Sequence, residues 1–336
     1  MLELICVKGE SGKLAVTAKL IPQAGSFTYP TSTAGMFTGI KNGFLYMVTL
    51  DGLVYRAALS ALATTPTTLI WELYDGATGR TGYRGVTTGN VIQYPDAYDQ
   101  FALFSSVTSA KSEIGLSYYN VTTKTLGKYV LSSLPSGNTN LDGGMQVLIN
   151  DKLYLFGGRY GNAVNNAMVV YTTSAKATTA AAAVLVSDGT VGAGSPALTA
   201  YGCVAAIGTD IYMFGGELSN SNSSLITVKT LSYKYNTVTH TWSAIKPLPS
   251  PVRTAATIAV GKYIYIVGGL ATPAAVGSNL VIRYNTGTDT YDTVPSPDMI
   301  VNAYGGKLFA MAGKIYLFGG TVNGVAASKD LYELTV

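Results

Sequence analysis

Apolar runs of four or five residues recur along the chain, each entered from a turn residue and closed by two glycines. Four copies are clear: Asp151–Gly158 (DKLYLFGG), Thr209–Gly216 (TDIYMFGG), Gly261–Gly269 (GKYIYIVGG) and Gly313–Gly320 (GKIYLFGG). The runs are short and nearly unbroken in their apolar character. Tyr-Ile-Tyr-Ile-Val at 263–267 shows this best, and it predicts a strand buried on both faces rather than an amphipathic helix. The glycine pairs Gly157-Gly158, Gly215-Gly216, Gly268-Gly269 and Gly319-Gly320 recur at a step of about fifty residues, the period of a repeated supersecondary unit. Two upstream segments keep the phase while losing the pair. Asn42–Gly52 (NGFLYMVTLDG) has Asp51-Gly52 in its place, and Asp99–Ser106 (DQFALFSS) has Ser105-Ser106. The pattern predicts six units.

A second signature lies downstream of the glycines: Tyr119-Asn120 with Thr123 and Leu126, Tyr235-Asn236 with Thr239 and Trp242, Tyr284-Asn285 with Thr288 and Tyr291. It predicts a strand, a tight turn and a returning strand, because Asn tolerates turn backbone angles and Thr favours the flanking strands. Leu134-Pro135, Leu248-Pro249 and Val294-Pro295 then end their units, as suits a residue without an N–H at a strand exit. Each unit therefore reads as a four-stranded antiparallel sheet whose apolar faces need neighbouring sheets to cover them. The glycine pair lets two backbones approach where a side chain would collide.

These motifs resemble the Kelch-repeat family, whose repeat joins a Gly-Gly after its second strand to a Tyr and a Trp in its third and fourth. The resemblance covers nearly the whole chain, is strongest from 142 to 336, and departs from the family in keeping only Trp71 and Trp242 as tryptophans. It implies an all-β, six-bladed Kelch-type β-propeller forming one domain over 1–336. The blades would fall near 23–80, 81–135, 136–190, 191–250, 251–297 and 298–336 plus 13–22. Leu331–Val336 (LYELTV) resembles a third strand, with Tyr332 in the family Tyr position, and no fourth strand follows it. Leu14–Pro22 (LAVTAKLIP) ends in apolar-Pro as fourth strands do, so it is expected to complete the last blade and close the ring, which removes an exposed sheet edge. The Ala/Thr/Gly/Ser-rich stretch 175–200 reads as a decayed third-and-fourth-strand hairpin with Val184-Leu185-Val186 as a strand; a projecting loop is the other reading.

Composition narrows the function classes. Of 336 residues 48% are hydrophobic and only 12% charged, about half the usual charged share, while Gly (38) and Tyr (24) are plentiful. The net charge of +4 is spread along the chain without a Lys/Arg run, so no nucleic-acid partner is expected. No apolar run approaches the ~20 residues of a membrane span, so no membrane insertion is expected. Glu3 and the lack of a long apolar core at 1–13 read against a secretory leader.

Chemistry-bearing residues are sparse. His240 is the one histidine, placed in a turn, and reads as a solvated turn residue. Cys6 and Cys203 form no framework and read as packed thiols. The radical-copper site of galactose-oxidase-type propellers needs two histidines, which the chain cannot supply. Tyr201 and Cys203, two apart, read as neighbours on one strand face. The arginine cluster and repeated Ser-x-Asp-x-Gly-x-Thr-Trp turns of sialidase propellers are absent. No metal, cofactor or catalytic residue is expected. Arg253, following Pro251, occupies the position where Kelch repeats carry an arginine at the propeller mouth, and Arg84 holds a similar position. With Arg159, Tyr160, Tyr94 and Tyr98 in Tyr/Asn/Ser-rich loops, they are the candidate binding residues, since Tyr provides contact area at low entropic cost. The leading expectation is a non-enzymatic binding or structural propeller in a virion (a phage tail, fibre or head-attached protein), because the Thr/Ala/Gly/Asn/Tyr bias resembles phage fibre and decoration proteins. It would be assembled in the host cytoplasm. Its partners would be other virion proteins or a host surface protein or glycan, with an oligomeric state set by the assembly. The alternatives are a cytoplasmic Kelch adaptor for protein partners and a Kelch-like sialic acid epimerase.

Overall fold

The structure is a computed structural model. It describes residues 16–25, 37–49, 52–63, 68–77, 92–93, 99–106, 114–131, 143–150, 152–160, 163–164, 168–172, 183–187, 196, 198–219, 226–272, 277–295, 306–322, 326–327 and 330–336. The protein is all-β with a β-propeller arrangement, and its one helical segment among the described residues is the four-residue turn Ser60–Ala63. Those residues form five four-stranded sheets, one five-stranded sheet and three two-stranded ribbons. The sequence runs become the second strands of their sheets: Phe44–Val48, Gln100–Ser106, Lys152–Phe156, Asp210–Phe214, Tyr263–Val267 and Lys314–Phe318. In four of these sheets each strand lies beside the sheet's next strand in sequence, as short antiparallel connections dictate; in the other two an N-terminal strand joins out of order. The Ala183–Ser187 strand, with Val184-Leu185-Val186 inside it, pairs with Met168–Thr172 as the fourth strand of its sheet, while Ala200 bridges to Glu217 of the next sheet.

The core lies between sheets. One cluster joins Met145, Phe156 and Met168 to Val204, Met213 and Trp242; a second joins Cys203, Phe214 and Val252 to Ile264, Ile266 and Tyr284. A third packs Ala256, Val267 and Val281 on Ile315, Leu317 and Leu334, and a fourth packs Tyr46, Val48 and Val54 on Phe101, Tyr119 and Leu126. A fifth brings the first and last sheets in sequence together: Leu45, Met47 and Trp71 against Phe309, Tyr316 and Phe318. Faces that would be wet in a lone sheet are thus covered by the neighbour, and this explains runs that are apolar at every position.

The glycine pairs act at these seams. Gly215 and Gly216 have φ of 61° and 87°, in the left-handed region that favours glycine. Gly216 N donates to Val252 O of the segment leading into the next sheet at 2.8 Å, and a Cβ on Gly215 would collide with that same carbonyl. Where the pair is replaced by Ser105-Ser106, the strand does not break: it runs seven residues, through both serines.

The Tyr-Asn-x-x-Thr-x-Thr motif is a closed turn. Asn236 Oδ1 accepts from the N–H groups of Val238 and Thr239 at 3.0 and 2.9 Å, and Thr239 and Thr241 hydroxyls bond at 2.7 Å. Asn120 and Asn285 repeat the geometry. The residue between the two threonines is left-handed each time: Lys124, His240 and Asp289 have φ of 54°, 56° and 53°. Tyr119, Tyr235 and Tyr284 are buried beneath these turns, with Trp242 beside Tyr235 at 5.0 Å between ring centroids.

The N-terminal segment serves two sheets. Thr17–Ile21 is the outer strand beside Leu331–Thr335, in register from Thr17↔Thr335 to Ile21↔Leu331. Immediately afterwards Gln23–Gly25 pairs in parallel with Leu69–Trp71, as the outermost strand of the five-stranded sheet. Gln23 Oε1 accepts from the indole N–H of the buried Trp71 at 2.7 Å, and Leu69 N donates to Pro22 O at 2.8 Å.

Candidate functional site

Innermost strands Met145–Ile149, Cys203–Ile207, Ala256–Val260 and Lys307–Met311 stand side by side. Two residues before the first three of them come Gly143, Tyr201 and Thr254, all with positive φ: 69°, 57° and 57°. Their backbones pass hydrogen bonds from one sheet to the next, with Tyr201 N donating to Gly143 O at 2.6 Å and Thr254 N to Tyr201 O at 2.8 Å. The result is a backbone girdle that links three consecutive sheets just before their innermost strands begin. Tyr201 is therefore not a strand residue sharing a face with Cys203, as the two-residue spacing had suggested; the strand begins at Cys203, and Tyr201 is a left-handed bend before it. Cys203 is buried, its Sγ 3.9 Å from Ala255 O, and burial pushes the thiol up to about 11. A thiol held protonated in this way is a packing group, not a nucleophile.

Arg253 lies at the girdle. Its guanidinium donates to Glu217, the residue after Gly215-Gly216 of the preceding sheet; the Glu217 side chain is fully buried and that of Arg253 is 14% exposed. The backbone sets this up: Ala200 and Glu217 exchange N–H···O bonds at 3.0 and 2.7 Å, and Arg253 and Leu270 do the same one sheet further on, at 3.0 and 2.9 Å. The Arg253 guanidinium carbon stands 6.0 Å from the Tyr201 ring centroid. Its Nε–H is buried with no hydrogen-bond partner among the described residues. A Cβ on Gly143 would meet the Tyr201 ring at 2.7 Å, so that ring lies against the backbone of the sheet before.

Lys307 is the first residue of its innermost strand, which lies beside Ala256–Val260. It shares a face with Phe309, which stacks on Tyr316 in the cluster between the first and last sheets. Packing desolvates the ammonium and lowers its pKa to about 8, although part of the side chain still meets solvent. Sequence reading passed over Lys307, as it did Glu217.

Of the other candidates, Arg159 and Tyr160 follow Gly157-Gly158 as Glu217 and Leu218 follow Gly215-Gly216. Arg159 and Tyr160 form a short ribbon with Ala163–Val164. Arg84, Tyr94 and Tyr98 lie outside the described residues, as does Cys6. His240 is exposed, with Nδ1 hydrogen-bonded to the Tyr235 hydroxyl at 2.9 Å. Among the described residues no three His, Cys, Asp or Glu side chains are grouped to hold a metal ion, and no helix is long and apolar enough to cross a membrane.

No family model matches the chain, and no curated protein matches it. Among solved structures the chain is similar to that of YjhT, with a TM-score of 0.65 over 91% of this chain and 97% of the other at 15% identity. At that identity the likeness speaks for the β-propeller fold alone.

Proposed function

We propose that this protein is a non-enzymatic binding or structural propeller of the Kelch type, carried on a virion and engaging a protein or glycan surface through its blade ends. On this reading the five-stranded sheet is the sixth blade. The ring then closes where the first and last sheets share a core, with the Thr17–Ile21 strand completing the last blade. The register of that strand with Leu331–Thr335 and the Trp71–Phe318 ring contact at 5.4 Å support this closure.

The observation that carries the binding reading is the way charge is disposed at the channel mouth. The arginine best placed to act is locked to a fully buried carboxylate, and the girdle around it is backbone hydrogen-bonded from sheet to sheet. Such a site offers a rigid, prearranged surface, which is what recognition without chemistry requires. The low charge and Thr/Ala/Gly/Asn/Tyr bias support placement on a particle. Mass spectrometry of particles purified from cells that make the protein tests it: the chain is expected at a fixed stoichiometry to the other particle proteins, and its absence from washed particles overturns the virion assignment.

The second reading, a sugar-converting enzyme, is favoured by one observation, the meeting of a carboxylate and a guanidinium at the channel mouth. It requires turnover of an aldose or sialic acid that Glu217→Gln abolishes. The full burial of Glu217, out of reach of a substrate, favours the binding reading.

A further inference from the structure

Trp71 and Trp242 occupy the same place in two sheets. Each lies opposite the third-strand residue that pairs with the second residue of the second strand: Leu45↔Ala57↔Trp71 and Ile211↔Tyr235↔Trp242. Each indole packs on the phenylalanine that ends the second strand of a neighbouring sheet, Phe318 at 5.4 Å and Phe156 at 6.1 Å between ring centroids. Both are buried. They differ in what meets the indole N–H. That of Trp71 donates to Gln23 Oε1, from the strand Gln23–Gly25 that adds in parallel outside Leu69–Asp75. That of Trp242 is buried with no hydrogen-bond partner among the described residues, and among them no strand lies outside Thr241–Ala244. Folded proteins leave few buried N–H groups in that state.

The backbone of Thr241–Ala244 is arranged to take a further strand. Ile245 N donates to Ser232 O at 3.2 Å across the hairpin. Opposed residues of an antiparallel pair alternate between bonded and unbonded. Thr241 and Ser243 therefore bond inward, while Trp242 and Ala244 turn their N–H and C=O groups outward. In the other sheet Leu69, two residues before Trp71, likewise turns its N–H outward and donates to Pro22 O at 2.8 Å. Thr241, Ser243 and Ala244 are exposed. An open edge of this kind is a template for strand addition.

We propose that the outer edge of Thr241–Ala244 binds an extended segment of a partner protein, which runs parallel to it and offers a glutamine carboxamide oxygen to the Trp242 indole N–H. The chain's own Gln23-Ala24-Gly25 is the pattern for that segment and fixes its chemistry. It needs a side-chain acceptor of glutamine length, followed by small residues where the added backbone passes closest, since a Cβ on Gly25 would collide with Trp71 O. A second copy of the chain is not the occupant, because its Gln23–Gly25 strand is already paired. The site lies on the outer edge of a sheet, distinct from the blade ends, and does not depend on the virion reading.

The test uses the full chain with isotope-labelled tryptophan, whose two indole N–H signals report Trp71 and Trp242 separately by NMR. The probe is a synthetic peptide of residues 20–26 (LIPQAGS), added to millimolar concentration. The Trp242 signal is expected to move downfield and its exchange with water to slow, while the Trp71 signal stays in place. The same peptide with Gln23→Leu is expected to bind at least about fivefold more weakly, the loss of about one hydrogen bond. Ala244→Pro removes an outward N–H from an edge strand, where proline is tolerated, and should abolish the response while the melting temperature holds. Trp242→Phe, which keeps an aromatic ring and removes the N–H, is the second variant should the proline loosen the hairpin; it should weaken binding as the altered peptide does, read by amide exchange at Ala244. A Trp242 signal that stays in place throughout, equal binding of the two peptides, or undiminished binding by both variants overturns the proposal. Dimerisation of the free chain that Ala244→Pro abolishes would put a second copy on this edge and overturn it as well. Absence of the chain from particles would remove the virion assignment and leave this inference standing.

Discussion

Glu217 and Arg253 are the residues on which the mouth most depends. Taking away one member of a buried pair leaves the other charge without compensation, so Arg253→Ala is expected to destabilise the protein by about 3–5 kcal/mol. The double replacement Glu217→Leu with Arg253→Met removes both charges and is expected to cost far less; urea denaturation of the two variants makes the comparison. Lys307 gives a pH prediction. Its pKa is lowered from its usual value to about 8 by desolvation. The folded state therefore disfavours the proton, and the unfolded chain binds more protons between about pH 8 and 10.5. The contribution of Lys307 to stability is complete only above its unfolded pKa and is lost as pH falls through 8. Lys307→Met should raise the melting temperature at pH 7, with a gain that shrinks as pH approaches 10. A gain independent of pH would show that packing, not protonation, is responsible. Arg253 was legible along the chain as a candidate at the mouth, whereas Glu217 and Lys307 were not. Glu217 and Arg253 lie 36 positions apart, and only the stacking of consecutive sheets brings them together. Tyr201 concealed its backbone state because nothing about a tyrosine announces a left-handed turn.

The repeated element was legible for the opposite reason: its determinants are local. A turn residue, a run of apolar side chains and a glycine pair specify the second strand, and Tyr-Asn-x-x-Thr-x-Thr specifies the hairpin through bonds reaching two or three residues. Burial of the motif tyrosines has a titration consequence. Desolvation pushes Tyr235 and Tyr316 up to about 12, and raises Tyr284 and Tyr291 as well. A phenol whose folded pKa is raised contributes stability below its unfolded value near 10, and that stability is lost as pH climbs through the folded value. Tyrosinate absorbance should therefore rise in two steps: exposed rings near pH 10, and the inter-sheet rings only as the fold melts. A single titration complete by pH 10.5, with the fold intact, would contradict the assigned packing. The N-terminal segment was legible only in part. Apolar-Pro at 21–22 marked the outer strand, but the Gln23–Gly25 strand that follows it is too short, and its pairing with Leu69–Trp71 too distant, to leave a pattern. Deleting residues 1–25 would expose the edge of Leu331–Thr335 and deprive Trp71 of Gln23. The truncated chain should lose its cooperative melting transition, and a peptide spanning 13–25 added in trans should restore it. Unchanged melting of the truncated chain would deny the segment a role in holding the first and last sheets.

At the scale of the whole molecule, each of the core clusters among the described residues spans two sheets, so neighbouring sheets share their cores. Stability is then a property of the ring, and loops at its ends can vary without altering it. On the proposed reading, the girdle of Gly143, Tyr201 and Thr254 holds one end of the innermost strands rigid, and contact with a particle or host surface falls to the blade ends. Placement on a virion is decided by cryo-electron tomography of the cells that make the protein and the particles they release, with the chain located by a tag at its C-terminus. A propeller-sized disc is expected at a constant position on each particle, with one set of blade ends turned outward. A tag dispersed through the cells and missing from every particle would contradict it.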